Sequence, residues 1–151
     1  MSTTLEQIED VKDAIVLQKL TKLFGPNPSE VLPLVHQGLD KNLILSEHGH
    51  VLALRDISLK IDAGKVQIIM GLSGSGKSTL LRHINRLIEP SAGRILIRGR
   101  DVLSLDNEEL REFRQHQISM VFQRFALLPH RTVQDNVAFG LSVQKASSAA
   151  Q

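Results

Sequence analysis

The hydrophobic positions of the chain change their spacing along its length and so predict different elements in turn. Residues 57–61 alternate Ile or Leu with polar side chains, a period of two that is typical of a half-buried strand. Residues 66–70 are almost all apolar, which favours a parallel strand buried on both faces. Residues 80–88 carry apolar side chains at helical spacing, and Pro90 marks the end of this predicted amphipathic helix.

The segment before these elements leaves one choice open. Residues 5–24 begin with apolar positions at helical spacing, but their second part fits a short strand equally well. Gly25-Pro26-Asn27-Pro28 breaks whichever element precedes it. Ser29 is then expected to cap a short helix that ends near Leu39.

After Pro90 the pattern predicts two further strands and two further helices. Residues 94–98 and 118–122 are short apolar runs between turns, so both are predicted to be strands. One helix begins at Asp106, which has a Glu three positions later, as in a capping box. The other begins at Thr132, which has an Asp three positions later. The pattern does not repeat along the chain.

Composition narrows the size and the chemistry of the molecule. At 151 residues, of which 42% are hydrophobic, the chain is long enough for one domain with a sizeable core. It contains no cysteine, which excludes disulfides and thiolate metal sites. His48 and His50 lie two positions apart in a predicted turn, and we expect them to be solvated and not to bind a metal.

The composition and the apolar runs of the chain argue against a nucleic-acid-binding surface and against a membrane span. The chain has 18 basic and 16 acidic residues, and its only aromatic side chains are five Phe, so a nucleic-acid-binding surface is not expected. No apolar run approaches the roughly 20 residues of a membrane span. The N-terminus also lacks a signal-peptide pattern, and a soluble, unexported chain is therefore expected, with any membrane attachment made through a partner.

One motif carries the candidate chemistry. The phosphate-binding pattern G-x-x-x-x-G-K-[ST] is contained in Gly71-Leu72-Ser73-Gly74-Ser75-Gly76-Lys77-Ser78-Thr79. Its glycines allow a tight turn that brings backbone N–H groups up to phosphate oxygens. Lys77 supplies a positive charge for the β- and γ-phosphates, the Ser78 hydroxyl suits Mg²⁺, and the helix that begins here adds its positive end. The predicted strand before the motif and the predicted helix after it are the flanks that the motif requires.

Three stretches resemble the nucleotide-binding subunits of ABC transporters. They are residues 70–82, residues 87–97, and residues 120–133, which read MVFQRFALLPHRTV and are similar to the glutamine loop of that family. The sequences of the first and third stretches resemble those of the subfamily that imports glycine betaine, proline and related osmolytes. An extra predicted helical segment over about residues 28–50 is also similar to that subfamily. The resemblance covers nearly all of residues 14–143. It implies an α/β P-loop NTPase fold, the ABC-type nucleotide-binding domain in incomplete form: antiparallel strands, the phosphate-loop strand and helix, and the glutamine-loop segment.

The resemblance also implies roles for individual residues. Residues 71–79 would hold the phosphates of ATP, with Mg²⁺ at Ser78 and Gln123. Lys77 and Gln123 would be the catalytic residues, and Gln123 would contact Mg²⁺ or the attacking water and sense the transmembrane partner. Phe24 occupies the place of an aromatic residue that stacks on adenine, although core packing explains its position equally well.

The implied organisation has three parts. Residues 1–50 would form a lead segment with a helical insertion, residues 51–143 a partial ABC ATP-binding domain, and residues 144–151 a disordered tail. The implied partners are a transmembrane permease, a solute-binding protein outside the membrane, and a second ATP-binding subunit in a homodimer, with no nucleic acid. The permease would hold the subunit at the cytoplasmic face of the plasma (inner) membrane.

Three elements of the family do not occur in this sequence. They are an L-S-G-G-Q signature, an apolar run that ends in Asp-Glu, and a switch histidine after the glutamine loop. Hydrolysis needs a carboxylate beside the attacking water and a signature from a second subunit, so we expect ATP binding with little turnover from this chain alone. The chain would be the N-terminal part of a longer subunit. Residues 66–70 would then lack a neighbouring strand and expose an apolar edge that favours self-association.

Two alternatives stay open at this point. The first is a non-catalytic nucleotide-binding fragment without transport activity. The second is a P-loop kinase of another family, but that function gives no reason for the glutamine-loop stretch at residues 120–133.

Overall fold

A computed structural model of the chain describes residues 13–122 and 127–143. The chain divides into two compact units between Ser104 and Leu105, and each unit is described by itself. Within the described residues, no helix is both long enough and apolar enough to cross a membrane.

The first unit is built on a four-stranded sheet with the strand order β2-β1-β3-β4, in which all neighbouring pairs are antiparallel. The strands are β1 (Asp13–Phe24), β2 (Val51–Asp62), β3 (Ala92–Ile97) and β4 (Arg100–Asp101). For the second part of residues 5–24 the open choice is therefore settled in favour of a strand. The helical spacing predicted at the start of that segment falls mostly on residues 5–12, which lie outside the described residues. The predicted strands over residues 57–61 and 94–98 are confirmed.

The central strand β1 is irregular, which explains why its buried residues have a spacing that resembles that of a helix. Leu17, Leu20 and Leu23 are at most 1% exposed, yet they are three positions apart, where a regular strand would bury every second residue. The register of β1 against β2 shifts between Leu17 and Leu20 and again between Leu20 and Leu23. The extra residue lies in β1 between Leu17 and Leu20, and in β2 between the partners of Leu20 and Leu23. These irregularities interrupt the strict alternation of the strand, so leucines three positions apart can share the buried face.

Side chains satisfy the backbone where the β1–β2 ladder is irregular. Lys19 and Asp56 both have a φ of +48°, in the left-handed region. The Lys19 N–H donates to the Ser58 hydroxyl at 3.0 Å, and the Asp56 N–H donates to the buried Thr21 hydroxyl at 3.0 Å. These bonds replace ladder bonds that the irregular backbone cannot make.

Two helices connect β1 to β2, where the sequence predicted one. The first, α1 (Pro28–His36), has its N-cap at Asn27 and not at Ser29, and no side chain of the described residues caps it. Pro28 starts the helix because its fixed φ suits the first helical position and its missing N–H is not needed there. The second, α2 (Lys41–His48), is capped by Asp40, whose carboxylate accepts from the Asn42 N–H at 2.8 Å.

The inserted helices are anchored to the end of the sheet by an apolar cluster. Leu23 of β1 packs with Val31 and Val35 of α1 and with Ile44 of α2, and all four are at most 6% exposed. Full burial of such side chains contributes about 1.5–3 kcal/mol each. The cluster therefore fixes where the insertion lies on the sheet.

The expectation that His50 is solvated is wrong. It follows the left-handed Gly49 after α2 and is 5% exposed. Its two ring nitrogens face the carbonyl oxygens of His48 and Pro26, each at 2.5 Å. The ring fits because Gly25 has no side chain, since a Cβ there would lie 2.4 Å from the ring.

The predicted buried strand at residues 66–70 is also wrong. These residues have no regular secondary structure, and Val66, Ile68 and Met70 are 91%, 68% and 87% exposed. A parallel strand requires neighbours on both sides, and no strand of the described residues pairs with this stretch. Its composition is that of a buried strand, but the part of the chain that the structure describes offers it no partner strand.

The phosphate-loop helix, α3 (Lys77–Ile84), is shorter than predicted. Leu80 and Ile84 are buried as the periodicity indicated, but Leu87 is 48% exposed and lies beyond the helix. Arg86, at a φ of +52°, turns the chain toward β3 well before Pro90. A short 3-10 helix (Val102–Ser104) follows β4 and closes the unit.

The second unit contains the two predicted helices, α4 (Asn107–His116) and α5 (Val133–Val143). Asp106 and Glu109 form the predicted capping box at the start of α4. Thr132 and Asp135 also bond reciprocally at the start of α5, so both predicted starts are confirmed.

The predicted strand at residues 118–122 is not formed, and Val121 is 97% exposed. As at residues 66–70, an apolar run has no partner strand among the described residues. The predicted disordered tail at residues 144–151 lies outside the described part of the chain.

Candidate functional site

The phosphate loop is held in place by close contact with β2. Gly76, in the left-handed region at a φ of +89°, is the N-cap of α3. A Cβ on Gly76 would lie 2.7 Å from the carbonyl oxygen of Ala53, so only glycine fits between the loop and the strand. Within the described residues no side chain caps α3, and the N–H groups of its first turn stay available to an anion.

The Lys77 ammonium lies over the loop that precedes it. It donates to the carbonyl oxygens of Gly71 and Leu72 at 2.8 and 2.7 Å and contacts the Ser75 hydroxyl at 3.4 Å. The positive charge is therefore already positioned at the mouth of the loop. These bonds to neutral carbonyls are weaker than a bond to a phosphate oxygen, which would replace them.

The middle of the loop is a turn closed by a bond from the Ser75 N–H to the Leu72 carbonyl at 3.2 Å. Ser73 and Gly74 at its tip are exposed, and Gly74 adopts a φ of +77°. An exposed left-handed glycine at the tip allows the backbone N–H groups to approach a bulky anion closely.

The first turn of α3 offers one ligand of the type that Mg²⁺ prefers. Ser78 is exposed at this turn, and the partly buried Thr79 follows it. The described residues contain no group of three or more His, Cys, Asp or Glu side chains that would hold a metal by themselves. A single hydroxyl still fits Mg²⁺, because this ion is usually bound by one or two protein oxygens together with phosphates and water.

A buried histidine supports the helix behind the loop. His83 has no exposed surface, and its Nδ1 lies 2.7 Å from the carbonyl oxygen of Thr79. Burial lowers the pKa of His83, and the Thr79 carbonyl opposes part of that shift. The ring is therefore held neutral within the helix that carries Lys77 and Ser78.

Phe24 lies at the end of β1, opposite Val51 of β2. Phe24 is 39% exposed, and the Lys22 ammonium lies 4.9 Å from its ring centroid. Lys22 in turn donates to the Glu89 carbonyl at 2.7 Å, and burial lowers its pKa. The exposed part of the ring favours a contact surface over core packing.

The structure brings Phe24 and the phosphate loop to the same end of the sheet. Ala53, which touches Gly76, is two residues along β2 from the partner of Phe24. That separation is about 7 Å along a strand. The remaining predicted site residue, Gln123, lies outside the described residues, and its role stays a prediction.

A cavity of about 370 Å³ adjoins the loop. It is lined by the phosphate-loop residues Gly74 and Ser75, by β2 residues that include Arg55, and by Asp40 and Lys41 at the start of α2. No motif in the sequence marks Lys41 and Arg55, so neither was predicted. The only sequence feature that pointed to them is their position, because the predicted helical insertion ends just before a strand that leads toward the phosphate loop.

Comparison with known proteins now identifies the family. The ABC transporter family model matches residues 54–151, which is more than half of the chain. The chain belongs to the ABC transporter family. The alternative of a P-loop kinase from another family is therefore excluded.

The chain is similar to ATP-binding proteins of osmolyte transport systems. It is 50% identical over 84% of its length to the glycine betaine/proline betaine transport ATP-binding protein ProV of Escherichia coli K12, of which it covers 32%. It is 46% identical over 86% of its length to the glycine betaine/carnitine transport ATP-binding protein GbuA of Listeria monocytogenes, of which it covers 33%. The chain thus spans about a third of the length of these curated relatives.

Solved structures confirm the predicted fold class. An ATP-binding cassette in a dimeric, post-hydrolysis state with ADP and Pi matches with a TM-score of 0.65 and 31% identity, over 85% of this chain and 47% of that chain. A second structure described as a dimeric bacterial ABC transporter cassette matches with a TM-score of 0.69 and 30% identity, over 89% and 49%. The α/β P-loop fold is that of an ABC cassette, of which these residues cover about half.

Proposed function

We propose that this chain binds MgATP through residues 71–79 and is the ATP-binding portion of an importer for glycine betaine, proline or a related osmolyte. One observation carries the binding proposal: the uncapped start of α3 and the Lys77 ammonium meet at the same loop. The N–H groups of the first turn would bind phosphate oxygens while Lys77 neutralises their charge. The solute class rests on the similarity to ProV and GbuA.

The remaining site residues have proposed roles in the same complex. Ser78 would bind Mg²⁺ together with Gln123, and Lys77 and Gln123 would act in the reaction. Mg²⁺ would supply charge neutralisation across the β- and γ-phosphates. The exposed face of Phe24 would stack on adenine, at the sheet end that also holds Gly76.

The partners are proposed from the family. A transmembrane permease would receive the mechanical signal at the cytoplasmic face of the membrane, and a solute-binding protein would deliver the osmolyte from outside. A second ATP-binding subunit would complete each site, as the dimeric arrangement of the related cassettes suggests. Because the 151 residues contain no L-S-G-G-Q and no Asp-Glu run, we propose little ATP turnover from this chain alone.

Replacing Lys77 tests the proposal. The chain contains no Trp or Tyr, so binding is best followed with a fluorescently labelled ATP and competition by unlabelled MgATP. Lys77→Ala removes a charge-assisted bond worth about 1.5–3 kcal/mol, which corresponds to a roughly 10- to 100-fold weaker affinity. The control is Lys65→Ala, an exposed lysine that precedes the loop in sequence and does not line the cavity.

Two outcomes would contradict the proposal. The first is a folded wild-type chain that does not bind MgATP at millimolar concentration, or that binds it equally well after Lys77→Ala. The second concerns turnover: a steady hydrolysis of about one ATP per second, lost in Lys77→Ala, would show that this chain needs no further elements.

A further inference from the structure

The cavity beside the phosphate loop joins three parts of the chain that are distant in sequence. Its walls include the start of α2, the first half of β2 and the tip of the phosphate loop. Two cationic side chains, Lys41 and Arg55, line the same space as Gly74 and Ser75. A cavity that combines loop residues of a phosphate-binding motif with two cations has the composition of an oxyanion site.

The charges of the lining residues are not balanced within the cavity. The Asp40 carboxylate accepts the Asn42 N–H at 2.8 Å and is used as the cap of α2. The Arg55 guanidinium donates through Nη2 to the Leu39 carbonyl, while its Nε is buried and has no hydrogen-bond partner among the described residues. Lys41 is exposed at the first position of α2. The lining residues thus carry two cations and one carboxylate, which leaves an excess of positive charge.

The position of Lys41 is fixed by the structure around it. Val35 and Ile44 hold both inserted helices against Leu23 of the sheet, and each is at most 1% exposed. Arg55 ties β2 to the connection between the two helices through the Leu39 carbonyl. Little conformational freedom of the backbone therefore remains to be lost when a ligand contacts Lys41.

We propose that Lys41 binds an oxygen of the phosphate chain that residues 71–79 hold, so that the helical insertion contributes a cation to nucleotide binding. The inference rests on the proposed function and adds to it one binding residue outside the motif. Arg55 is a positioning residue, since it holds the insertion through Leu39. The ligand group is a phosphate oxyanion, which the nucleotide or free inorganic phosphate can supply.

Charge variants of Lys41 test the inference in the 151-residue chain. Labelled ATP is titrated and then displaced by MgATP, MgADP, adenosine or inorganic phosphate. Lys41→Gln should lower the affinity for MgATP about five-fold and Lys41→Glu more than ten-fold, as expected for one partly exposed charge-assisted contact. Lys41→Arg keeps the charge, so its affinity should stay near that of wild type. Adenosine, which has no phosphate, should bind all variants equally.

Lys65→Gln is the matched control. It removes the same charge from an exposed lysine that follows β2. That strand ends at Asp62, nine residues and about 30 Å of strand from Ala53. It should leave the MgATP affinity within about two-fold of wild type, since interactions over that distance are screened. Circular dichroism of each variant checks that the fold is unchanged.

The outcomes separate this inference from the proposed function. If Lys77→Ala weakens the binding of MgATP but Lys41→Gln and Lys41→Glu do not, the inference is wrong and the proposed function stands. If inorganic phosphate binds without displacing labelled ATP and Lys41→Gln abolishes that binding, the cavity is a separate anion site and the inference is also wrong. If wild type does not bind MgATP at all, the proposed function fails, and this inference fails with it.

Discussion

Two apolar stretches of the first unit end in opposite states. β1 buries Leu17, Leu20 and Leu23 almost completely, although its sequence pattern is irregular. Residues 66–70 have the more regular strand-like composition, yet Val66 is 91% exposed. β1 has β2 on one side and β3 on the other, whereas no strand of the described residues pairs with 66–70. Pairing of the backbone, more than apolar composition, decides which stretch becomes a strand.

The difference also follows the type of sheet. Antiparallel neighbours accommodate bulges, so β1 forms despite its shifts in register. A strand of a parallel sheet is buried on both faces and has no stable form with an unpaired backbone. The apolar run at residues 118–122 in the second unit shows the same behaviour.

The largest expected effect is on the free energy of unfolding, when a side chain packed near β1 and one in residues 66–70 are each replaced by alanine. Ile44→Ala removes a fully buried side chain from the cluster that rests on β1 and should lower the free energy of unfolding by about 2–5 kcal/mol. Ile68→Ala, at 68% exposure in the unpaired stretch, should change it by no more than about 0.5 kcal/mol. Urea denaturation measures both values. Similar losses for both variants would show that residues 66–70 are packed, and the comparison would fail.

A pair of glycine variants tests how tightly β1 and β3 are joined. A Cβ on Gly93, at a φ of +100°, would lie 2.6 Å from the Lys19 carbonyl oxygen. Gly99 has a similar φ of +78°, but nothing lies within 4 Å of its Cβ position. Gly99→Ala should therefore cost about 1–2 kcal/mol for the left-handed backbone alone.

Gly93→Ala should cost at least about 1 kcal/mol more than Gly99→Ala, because the β1 backbone has to move. Thermal and urea unfolding give the two differences. Equal destabilisation by the two variants would contradict the close approach of β3 to β1.

The smallest expected effect is the contribution of His83 to the pH dependence of stability. Burial lowers the pKa of His83 below its ordinary value of 6.5, so the folded state binds fewer protons than the unfolded state in that range. The stabilisation is fully present above pH 6.5 and is lost as the pH falls through the folded-state pKa.

His83→Gln, which keeps a donor for the Thr79 carbonyl, should flatten the rise in unfolding free energy that wild type shows as the pH increases toward 6.5. His36→Gln, at the exposed end of α1, is the control and should leave the slope near that of wild type. An unchanged slope in His83→Gln would show that the ring is not held neutral by burial.

The sequence predicted the local features of the fold and missed those that depend on distant partners. The capping box at Asp106 and the start of α5 at Thr132 were correct, because each rests on contacts three residues apart. The N-cap of α1, placed at Ser29, was wrong by two positions, since Pro28 dictates where that helix begins. The burial of His50 depends on the space that Gly25 leaves, which no spacing rule detects.

The candidate site divides in the same way. The phosphate loop was predictable because residues 71–79 are contiguous and each residue type has a defined mechanical role. Phe24 was assigned only through the resemblance to a family, and the structure adds that it shares an end of the sheet with Gly76. Lys41 comes to line the same cavity as Gly74 and Ser75 through the packing of an insertion on the sheet, and no local pattern contains that information.

The irregular outer strand β2 has a consequence for how copies of this chain associate. At Asp56 its backbone turns into the left-handed region, and its N–H points to Thr21 of the adjacent strand. A kinked border of this kind is a poor template for stacking molecules into fibrils. The exposed apolar side chains at residues 66–70 favour hydrophobic contacts between molecules without a regular ladder of backbone hydrogen bonds. Concentrated samples should therefore form amorphous, detergent-soluble clusters and not amyloid.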